Sequence, residues 1–358
     1  MKNPAVKPTN ETVYWIGVDV AKATFDAALV RPGQHYPAVP LRELPAGHFD
    51  RSARGVAVFL CWMKTQLKDI ARPQVRVLME ATGKYSMALA HWMRTQCPML
   101  APAIVNPRLT SDFVRSLGLR NATDPLAARA LALYGAERAP EAYTAPAPEY
   151  VELQSLNRYR DALVEQRVAE TNRGEERFDS PFVTKLHRQR LLQLDRAIQR
   201  VEGEMKALVR RHPALAHDVA LLSSIYGVAF LTAALILAEL GDLRRFRQAR
   251  QLTAFAGLNP RVIESGTSVH KRPRMGKQGN ARVRKSLYLA AMAAVRGHND
   301  FHHTYLRLRD KGKTAMAALG AIMRKMLTLM RALLISGKPY DPLWNAHGKT
   351  NEQITQFT

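Results

Sequence analysis

In the first 140 residues, short β-branched apolar runs alternate with longer runs in which apolar residues recur every three to four positions. The segments 14–20 and 23–30 are apolar and separated by a short turn, which predicts a β-hairpin. The segments 75–80 and 102–105 predict two further strands, and the periodic runs around them predict helices. A hairpin followed by alternating strands and helices predicts a mixed α/β sheet that is covered by helices.

Beyond this region the pattern is helical. A segment rich in Pro and Ala, 139–150, predicts a linker, and Pro181 is predicted to break the helix that follows. From Leu191 to Leu208, leucines and other apolar residues repeat at alternating spacings of three and four, which predicts a coiled-coil-like seam. A helical hairpin that spaces two domains and a dimerisation arm would both produce this pattern. The predicted division is 1–140, an arm at 150–212, a mainly helical domain at 213–345 and a tail at 346–358.

The last region is punctuated by glycines. Gly227 lies between two apolar helical runs, where it is predicted to allow a tight turn next to a phosphate. The apolar run that begins at Ala229 is too short to span a bilayer before Glu239 interrupts it. Cys61 and Cys97 lie in apolar surroundings without metal-ligand or disulfide spacing, which predicts buried thiols. With a polar N-terminus, these features predict a soluble, cytoplasmic protein.

The charge of the chain narrows the class of its partners. The 358 residues include 53 Lys+Arg and 30 Asp+Glu, a formal net charge of +23 with a sequence pI near 10.4. Such a charge indicates a polyanionic partner, because neutralising phosphates releases counterions. A ribosomal or membrane-surface protein would share this charge. The segment 244–285, however, holds twelve Lys and Arg against one acid, Glu264, which favours a nucleic-acid surface.

Three acids in the first region stand where a catalytic site could form. Asp19 and Glu80 each end a predicted strand, and Asp124 opens a predicted helix. A helix cap is a strong alternative for Asp124, since Pro125 follows it. A strand Asp, a second-strand Glu and a helix Asp on a mixed sheet together form the RNase H-like arrangement. Their oxygens are the ligands that Mg²⁺ prefers, and bound Mg²⁺ ions serve phosphoryl transfer.

These motifs resemble those of a known family, the insertion-sequence "one-ten" transposases, which are also described as bridge-RNA-guided DEDD recombinases. The N-terminal marks are GVDVAK, MEATGKY and TDPLAARALA, and the C-terminal marks are FAGLNP, ESGTS and GKQGNARVRKSLY. The resemblance covers nearly the whole chain. It implies a RuvC-like (RNase H-like) domain, a helical coiled-coil segment and a C-terminal transposase domain with a catalytic serine.

One position departs from the family pattern. The family carries a second Asp three residues after the one that corresponds to Asp124, and this chain has Ala127 there. An alanine side chain cannot bind a metal. The residue is either a natural variant or an engineered Asp→Ala substitution, and the surrounding match favours the second. Activity of this particular chain is therefore in question.

The resemblance assigns the nucleophilic serine to Ser265, with Thr267 and Ser268 as fallback candidates. A lone Ser-Gly pair usually forms only a turn. Here the cations around it suit phosphate binding and the stabilisation of transition-state charge. No His/Asp pair of the protease kind stands nearby in sequence, so acyl transfer has no support. The predicted nucleic-acid-binding residues are Arg261, Lys271, Arg272, Arg274, Lys277 and Arg282.

The resemblance implies an RNA-guided DNA recombinase. Donor and target DNA would be its substrates, a structured non-coding guide RNA and Mg²⁺ would assist it, and a dimer pairing into a tetramer would share each site between subunits. Two other classes remain open. A metal-dependent nuclease or junction resolvase would use water as the nucleophile and would form no covalent adduct. A non-catalytic nucleic-acid scaffold would also account for Ala127.

Overall fold

The computed structural model describes residues 13–342, apart from 69, 71, 72, 101, 119–123, 176, 177, 266–268, 277 and 278. For residues 84, 124, 125 and 261–274 it describes the backbone alone. The chain divides into two compact units, Met1–Ala145 and Pro146–Thr358. The division falls inside the segment predicted to be a linker. The helices of the predicted arm belong to the same unit as the C-terminal region.

The first unit is built on a mixed five-stranded sheet. Its elements are β1 (Val13–Val20), β2 (Thr24–Val30), β3 (Ala46–Asp50), α1 (Ala53–Gln66), β4 (Gln74–Glu80), α2 (Lys84–Gln96), β5 (Ala103–Val105), α3 (Pro107–Ser116) and α4 (Asp124–Arg138). The strand order is β3-β2-β1-β4-β5. Strand β1 is antiparallel to β2 and parallel to β4, so β1 lies at the centre of the sheet.

Both faces of this sheet are covered by helices. Alternate residues of each strand point to opposite sides, so each strand contributes side chains to both faces. On one face, Ile16 and Val18 pack with Phe59 of α1 in a fully buried core. On the other face, Trp15 and Leu78 pack with Leu131 of α4. The central strands are therefore apolar on both sides, as their near-continuous hydrophobic runs predict.

Several sequence predictions for this unit need correction or addition. Strand β3 and helix α3 were not predicted, and both border the candidate site. Cys61 is exposed and Cys97 is half-buried, so the prediction of two buried thiols is wrong. Cys61 lies on the solvent side of α1, since Phe59 and Met63 take the buried positions of that helix.

The second unit is mainly helical. Its elements are α5 (Pro148–Arg173), α6 (Pro181–Arg211), α7 (Pro213–Ser223), α8 (Phe230–Leu240), α9 (Ala249–Phe255), β6 (Pro260–Ser265), β7 (Val269–Met275), α10 (Ala281–Ala294), α11 (Asp300–Asp310) and α12 (Ala315–Ser336). Helices α5 and α6 run antiparallel, because Arg160 pairs with Glu202 and the later Arg167 pairs with the earlier Asp195. Pro181 is the first residue of α6, a position where its missing N–H costs nothing.

The predicted seam of α6 is used within the chain. Leu194, Met205 and Leu208 are buried, and α5 supplies Leu153 and Leu163 to the same interface. The alternating spacing therefore marks the side of α6 that faces α5. Helices α5 and α6 thus form a helical hairpin, in which Leu194, Met205 and Leu208 are buried within the chain.

Helices α7, α8, α10 and α12 enclose the large core of the second unit. The apolar run from Ala229 forms α8 in this core, and no helix in the described ranges is long and apolar enough to cross a membrane. A Cβ atom on Gly227 would lie 2.4 Å from the carbonyl oxygen of Ala290, so this glycine permits close packing on α10. The φ of 81° at Gly227 confirms the predicted tight turn, and packing on α10 is a role that was not predicted.

Candidate active-site residues

Asp19 and Glu80 lie side by side on neighbouring strands. The parallel strands β1 and β4 pair residue by residue up to Val18 and Met79, and each acid is the next residue of its strand. Both point to the face of the sheet that α4 covers, because Trp15 and Leu78 occupy that face and side chains alternate. Two carboxylates therefore share one face at one edge of the sheet.

Helix α4 crosses this face with its first turn at the level of Asp19. A Cβ atom on Gly17 would lie 2.1 Å from the amide nitrogen of Ala132 and 2.2 Å from the carbonyl oxygen of Ala128. Trp15, two residues earlier, contacts Gly135. Two residues of strand advance about 7 Å, which corresponds to between four and five residues of helix. Two residues further along β1 is Asp19, and four to five residues further towards the start of α4 are residues 124–127. The first turn of α4 therefore lies at the level of Asp19.

Asp124 is the first residue of α4, and its side chain lies outside the described set. Ala127 is half-buried one turn later and offers only a methyl group. Among the side chains that the structure describes, no group of three or more His, Cys, Asp or Glu stands close enough to hold a metal ion. The described part of the candidate metal site is thus the pair Asp19 and Glu80.

Neighbouring elements position each of these acids. Glu80 accepts a hydrogen bond from the hydroxyl of Thr110, which is 1% exposed on α3. Asp19 pairs across the hairpin with Asp26 of β2, and Asp26 pairs with His48 of β3. The buried Asp26 is 3.0 Å from Nδ1 of His48. Asp26 and His48 were not among the predicted site residues, because the predicted strand bounds 14–20 and 23–30 place Thr24, and not Asp26, opposite Asp19.

Ser265 lies at the end of a strand. Strands β6 and β7 form an antiparallel hairpin, and Ser265 pairs with Val269 at its tip. We call the segment Pro260–Met275 the serine hairpin. The fallback candidates Thr267 and Ser268, together with Lys277, lie outside the described residues. The side chains of the remaining predicted nucleic-acid-binding residues in the hairpin are also outside the described set: Arg261, Lys271, Arg272 and Arg274.

Several arginines of the basic segment 244–285 make contacts inside the second unit. Arg282 pairs with Asp161 of α5 at 2.5 Å, so one cation predicted to bind nucleic acid also has an acidic partner. Arg244 donates two hydrogen bonds to the buried Asp218, from Nη1 to Oδ2 at 2.8 Å and from Nη2 to Oδ1 at 2.6 Å. These hydrogen bonds raise the pKa of Arg244. Arg284 donates to the carbonyl of Ala256, and burial lowers the pKa of its guanidinium.

Comparison with known proteins resolves the family. A transposase family model of the DEDD type matches residues 16–183, which include the sheet, α4 and α5. A second model, for the transposase IS116/IS110/IS902 family, matches residues 219–306, which include the serine hairpin. The chain belongs to the IS110 family of insertion-sequence transposases. Members of this family act on DNA, so this chain is an insertion-sequence transposase or recombinase.

Individual relatives of this IS110-family chain extend over most of its length. It is 29% identical over 328 residues to a pilin gene-inverting protein of Moraxella bovis, covering 91% of this chain and 97% of that protein. It is also 29% identical to the transposase of insertion sequence element IS1111A from Coxiella burnetii, covering 74% of this chain and 79% of that protein. An uncharacterized insertion element IS110 protein of Streptomyces coelicolor is 31% identical over 51% of this chain and 42% of its own length.

Proposed function

We propose that this transposase is an RNA-guided DNA recombinase that cuts and rejoins DNA through a covalent phosphoserine at Ser265. In this proposal Asp19, Glu80 and Asp124 bind Mg²⁺ in an RNase H-like domain. The observation that carries it is the placement of Asp19 and Glu80 on one face of β1 and β4, level with the first turn of α4. The matches of the two family models to the two halves support the combination of a carboxylate region and a serine region.

The residues present fit a divalent ion. Carboxylate oxygens are hard ligands, Thr110 fixes the carboxylate of Glu80, and Asp19 lies on the adjacent strand. Asp19 and Glu80 would hold the ion together with Asp124. When bound, Mg²⁺ neutralises charge that develops on the reacting phosphate and the leaving oxygen. Ala127 contributes no ligand, which predicts weak binding in this chain.

The covalent step conserves the phosphodiester. Oγ of Ser265 attacks the phosphorus and loses its proton, a serine O–P bond forms, and the bond from phosphorus to the leaving sugar oxygen breaks. The leaving oxygen takes up a proton. Rejoining reverses this exchange with a different sugar hydroxyl, so no nucleotide cofactor is consumed. Cations of the serine hairpin would bind the flanking phosphates.

Recombination is favoured over simple cleavage by one relative. A protein that inverts a gene must join each cut end to a new partner, and the pilin gene-inverting protein of Moraxella bovis matches 91% of this chain. A nuclease that uses water would leave the ends unjoined. The runner-up, a metal-dependent nuclease or junction resolvase, therefore explains less, although it needs only the carboxylates.

The proposed RNA partner rests on charge and on the family resemblance. The second unit carries 35 Lys+Arg against 19 Asp+Glu, and the first carries 18 against 11. The larger excess of cations thus accompanies the serine hairpin. A structured guide RNA would pair with donor and target DNA, and a dimer pairing into a tetramer would combine the carboxylates of one subunit with the serine of another.

The test of the nucleophile is the detection of protein bound to end-labelled DNA after denaturation, using the chain with Ala127→Asp and its RNA. Ser265→Ala is expected to abolish the adduct, while Ser268→Ala, the matched control at a fallback position, is expected to retain it. An adduct that persists in Ser265→Ala would remove Ser265 from the mechanism. Cleaved DNA without any adduct would establish the nuclease in its place.

The shared site is tested by mixing two inactive variants, Ser265→Ala and Asp19→Ala, both in the Ala127→Asp background. If sites are shared, the mixture recovers part of the strand exchange, and the adduct forms only on the subunit that keeps Ser265. If each chain is self-contained, mixed oligomers remain inactive. Mass spectrometry of the adduct identifies the subunit that carries it.

A further inference from the structure

A buried carboxylate in the second unit joins three elements near the serine hairpin. Glu239 of α8 has a side chain that is 1% exposed. Its Oε1 accepts a hydrogen bond from Nε of Arg158 at 2.9 Å, and its Oε2 accepts from Nη2 of Arg158 at 3.1 Å. Oε2 also accepts from Nδ2 of Asn280 at 2.7 Å. We call Arg158, Glu239 and Asn280 the Glu239 cluster.

The charge of Glu239 is retained despite its burial. Burial alone would raise the pKa of this carboxyl, but the hydrogen bonds from Arg158 and Asn280 outweigh that effect and lower the pKa. The same hydrogen bond raises the pKa of Arg158. Glu239 is buried, whereas the side chain of Arg158 is about half exposed. A buried carboxylate with satisfied partners favours one geometry, because removal of Arg158 or Asn280 would leave its oxygens without a donor they now have.

Asn280 connects Glu239 to the N-terminus of α10. It is the N-cap of that helix, and its Oδ1 accepts from the amides of Arg282 at 3.0 Å and Val283 at 3.3 Å. The side-chain amide has one oxygen and one nitrogen, so the oxygen faces the helix while the nitrogen faces Glu239. Glu239 therefore fixes the orientation of the cap at the point where the chain leaves the serine hairpin for α10.

The base of the hairpin has little freedom to adjust. The amide of Gly276 donates to the carbonyl of Asn259 at 2.8 Å, which closes the base of the hairpin. At Gly279 a Cβ atom would lie 2.5 Å from the amide of Gly257 and 2.5 Å from the carbonyl of Phe255. The return segment is thus in direct backbone contact with the segment that enters the hairpin, and Asn280 follows immediately.

One face of α5 contacts the end of α8 and the start of α10. Gln154 donates to the carbonyl of Ala238 at 3.0 Å, Arg158 holds Glu239, and Asp161 pairs with Arg282. These α5 residues are spaced by four and three, so they lie on one side of the helix. The orientation of α5 is therefore linked to the start of α10 by side chains on both sides of Asn280.

From these contacts we infer that Glu239, Arg158 and Asn280 are positioning residues that set the angle of the serine hairpin and link it to α5. The inference rests on the proposed role of Ser265. Strand β6 has six residues, which place Ser265 about 20 Å from the hairpin base at 3.3 Å per residue. A tilt of about 3° at the base then moves the serine by about 1 Å, a displacement that costs roughly a hundredfold in rate.

The test is a double-mutant cycle in which donor and acceptor exchange places. Glu239→Gln puts an NH2 donor against a donor whichever way the amide is turned: against Asn280 and Nη2 of Arg158 in one orientation, or against Nε of Arg158 in the other. Asn280→Asp leaves two carboxylates facing each other. In the double variant the amide at 239 can donate to the carboxylate at 280. Aspartate is a good helix cap, so α10 keeps its N-terminus in both variants that carry it.

We expect each single variant, in the Ala127→Asp background, to lower the rate of adduct formation roughly ten- to hundredfold at unchanged DNA affinity. The double variant is expected to recover at least half of the logarithmic loss. Asp218→Asn is the matched control, because Asp218, like Glu239, is a buried carboxylate that an arginine, here Arg244, holds through two hydrogen bonds. It is expected to lower stability and to keep the rate of adduct formation per folded molecule.

A second measurement does not depend on activity. Hydrogen exchange at the amide of Gly276 is expected to accelerate about tenfold in each single variant and to slow again in the double variant. Additive losses in the cycle, or equal slowing of adduct formation by Asp218→Asn, would overturn the inference. The Ser265→Ala variant distinguishes failure of the proposed nucleophile from failure of the positioning role. An adduct that survives in Ser265→Ala contradicts Ser265 as the nucleophile. Loss of the adduct in Ser265→Ala, together with additive losses in the double-mutant cycle, contradicts the positioning role alone.

Discussion

The two regions that carry the candidate chemistry are held in place by different means. Asp19 and Glu80 extend from the central strands of a sheet that is packed on both faces, and Gly17 brings α4 into backbone contact two residues away. Ser265 lies at the tip of a two-stranded hairpin that is fixed at its base. Dense packing fixes the carboxylates, whereas a few contacts at the hairpin base fix the strand that carries the serine. Substitutions in the packing between β1 and α4 should therefore act mainly through stability, and substitutions at the base of the serine hairpin mainly through the rate of adduct formation.

The largest effect is expected in nucleic-acid binding, which we propose for the second region because it carries the larger excess of cations. If six to ten phosphates are contacted, affinity for the guide RNA should fall by roughly 10³ to 10⁵ between 50 and 200 mM salt. Lys271→Ala should reduce the salt slope by about one. The control Lys64→Ala, an exposed lysine of the first unit, should leave it unchanged. Filter binding at graded salt measures the slope.

Competition distinguishes specific from generic binding in the same assay. A structured guide RNA should remain bound in the presence of excess tRNA. Displacement by tRNA at equal concentration would reduce the interaction to general polyanion affinity. Equal slopes for Lys271→Ala and Lys64→Ala would contradict the assignment of the contacts to the serine hairpin.

Gly17→Ala tests the packing of the first region. The added Cβ would overlap the backbone of α4 at 2.1–2.2 Å, so we expect a loss of about 3 kcal/mol in the free energy of unfolding. Gly203→Ala, in the middle of α6 with open space around it, should stabilise the protein by about 0.5–1 kcal/mol. Denaturant unfolding followed by circular dichroism measures both. Equal stability of the two variants would show that α4 can move away from β1 at no cost.

Ala127→Asp sharpens the role of the first region in catalysis. The residue lies one helical turn after Asp124, at the level of Asp19, so an added carboxylate would complete the ligand set. We expect DNA cleavage to accelerate by several tens of fold, because each ligand contributes charge stabilisation at the kcal/mol scale. The control is Ala127→Asn, which has the same shape without the charge. No acceleration under saturating Mg²⁺ would contradict the metal assignment at this position.

The smallest effect concerns pH. Hydrogen bonds from Arg158 and Asn280 lower the pKa of Glu239 in the folded protein. The charged Glu239 therefore stabilises the fold at every pH above the pKa that this carboxyl has in the unfolded chain. That contribution is lost as the pH falls through the lowered folded-state value. Unfolding midpoints measured from neutral to acidic pH should therefore decline less steeply at the acidic end in Glu239→Gln than in the parent chain. Identical pH profiles would contradict a charged Glu239.

The elements that were predicted from sequence are those whose burial is periodic. Strands β1, β2, β4 and β5 and helices α1, α2 and α4 lie where alternation or helical spacing placed them. Strand β3, with the sequence AGHFD, was missed because it pairs with a single neighbour and buries only Phe49. Strands β6 and β7 were missed because their sequences are cationic and include prolines, which only edge strands tolerate.

The candidate site was predictable in part. Strand ends and a helix start located Asp19, Glu80 and Asp124, but sequence spacing could not show that Thr110 holds Glu80. The Glu239 cluster was missed because its members are far apart in sequence and each has an ordinary local role. Periodicity also identifies which side of a helix is buried without identifying its partner. The seam of α6 shows this, since α5 covers it.

The internal contacts of the basic segment have a consequence for mutational scanning. Arg244, Arg282 and Arg284 each hold a carboxylate or a carbonyl of their own unit. An alanine scan of 244–285 would therefore mix two phenotypes, loss of the nucleic-acid partner and loss of abundance through misfolding. Positions that only bind nucleic acid should tolerate lysine and arginine interchangeably. Arg244, whose planar fork fits both oxygens of Asp218, should reject lysine as firmly as alanine.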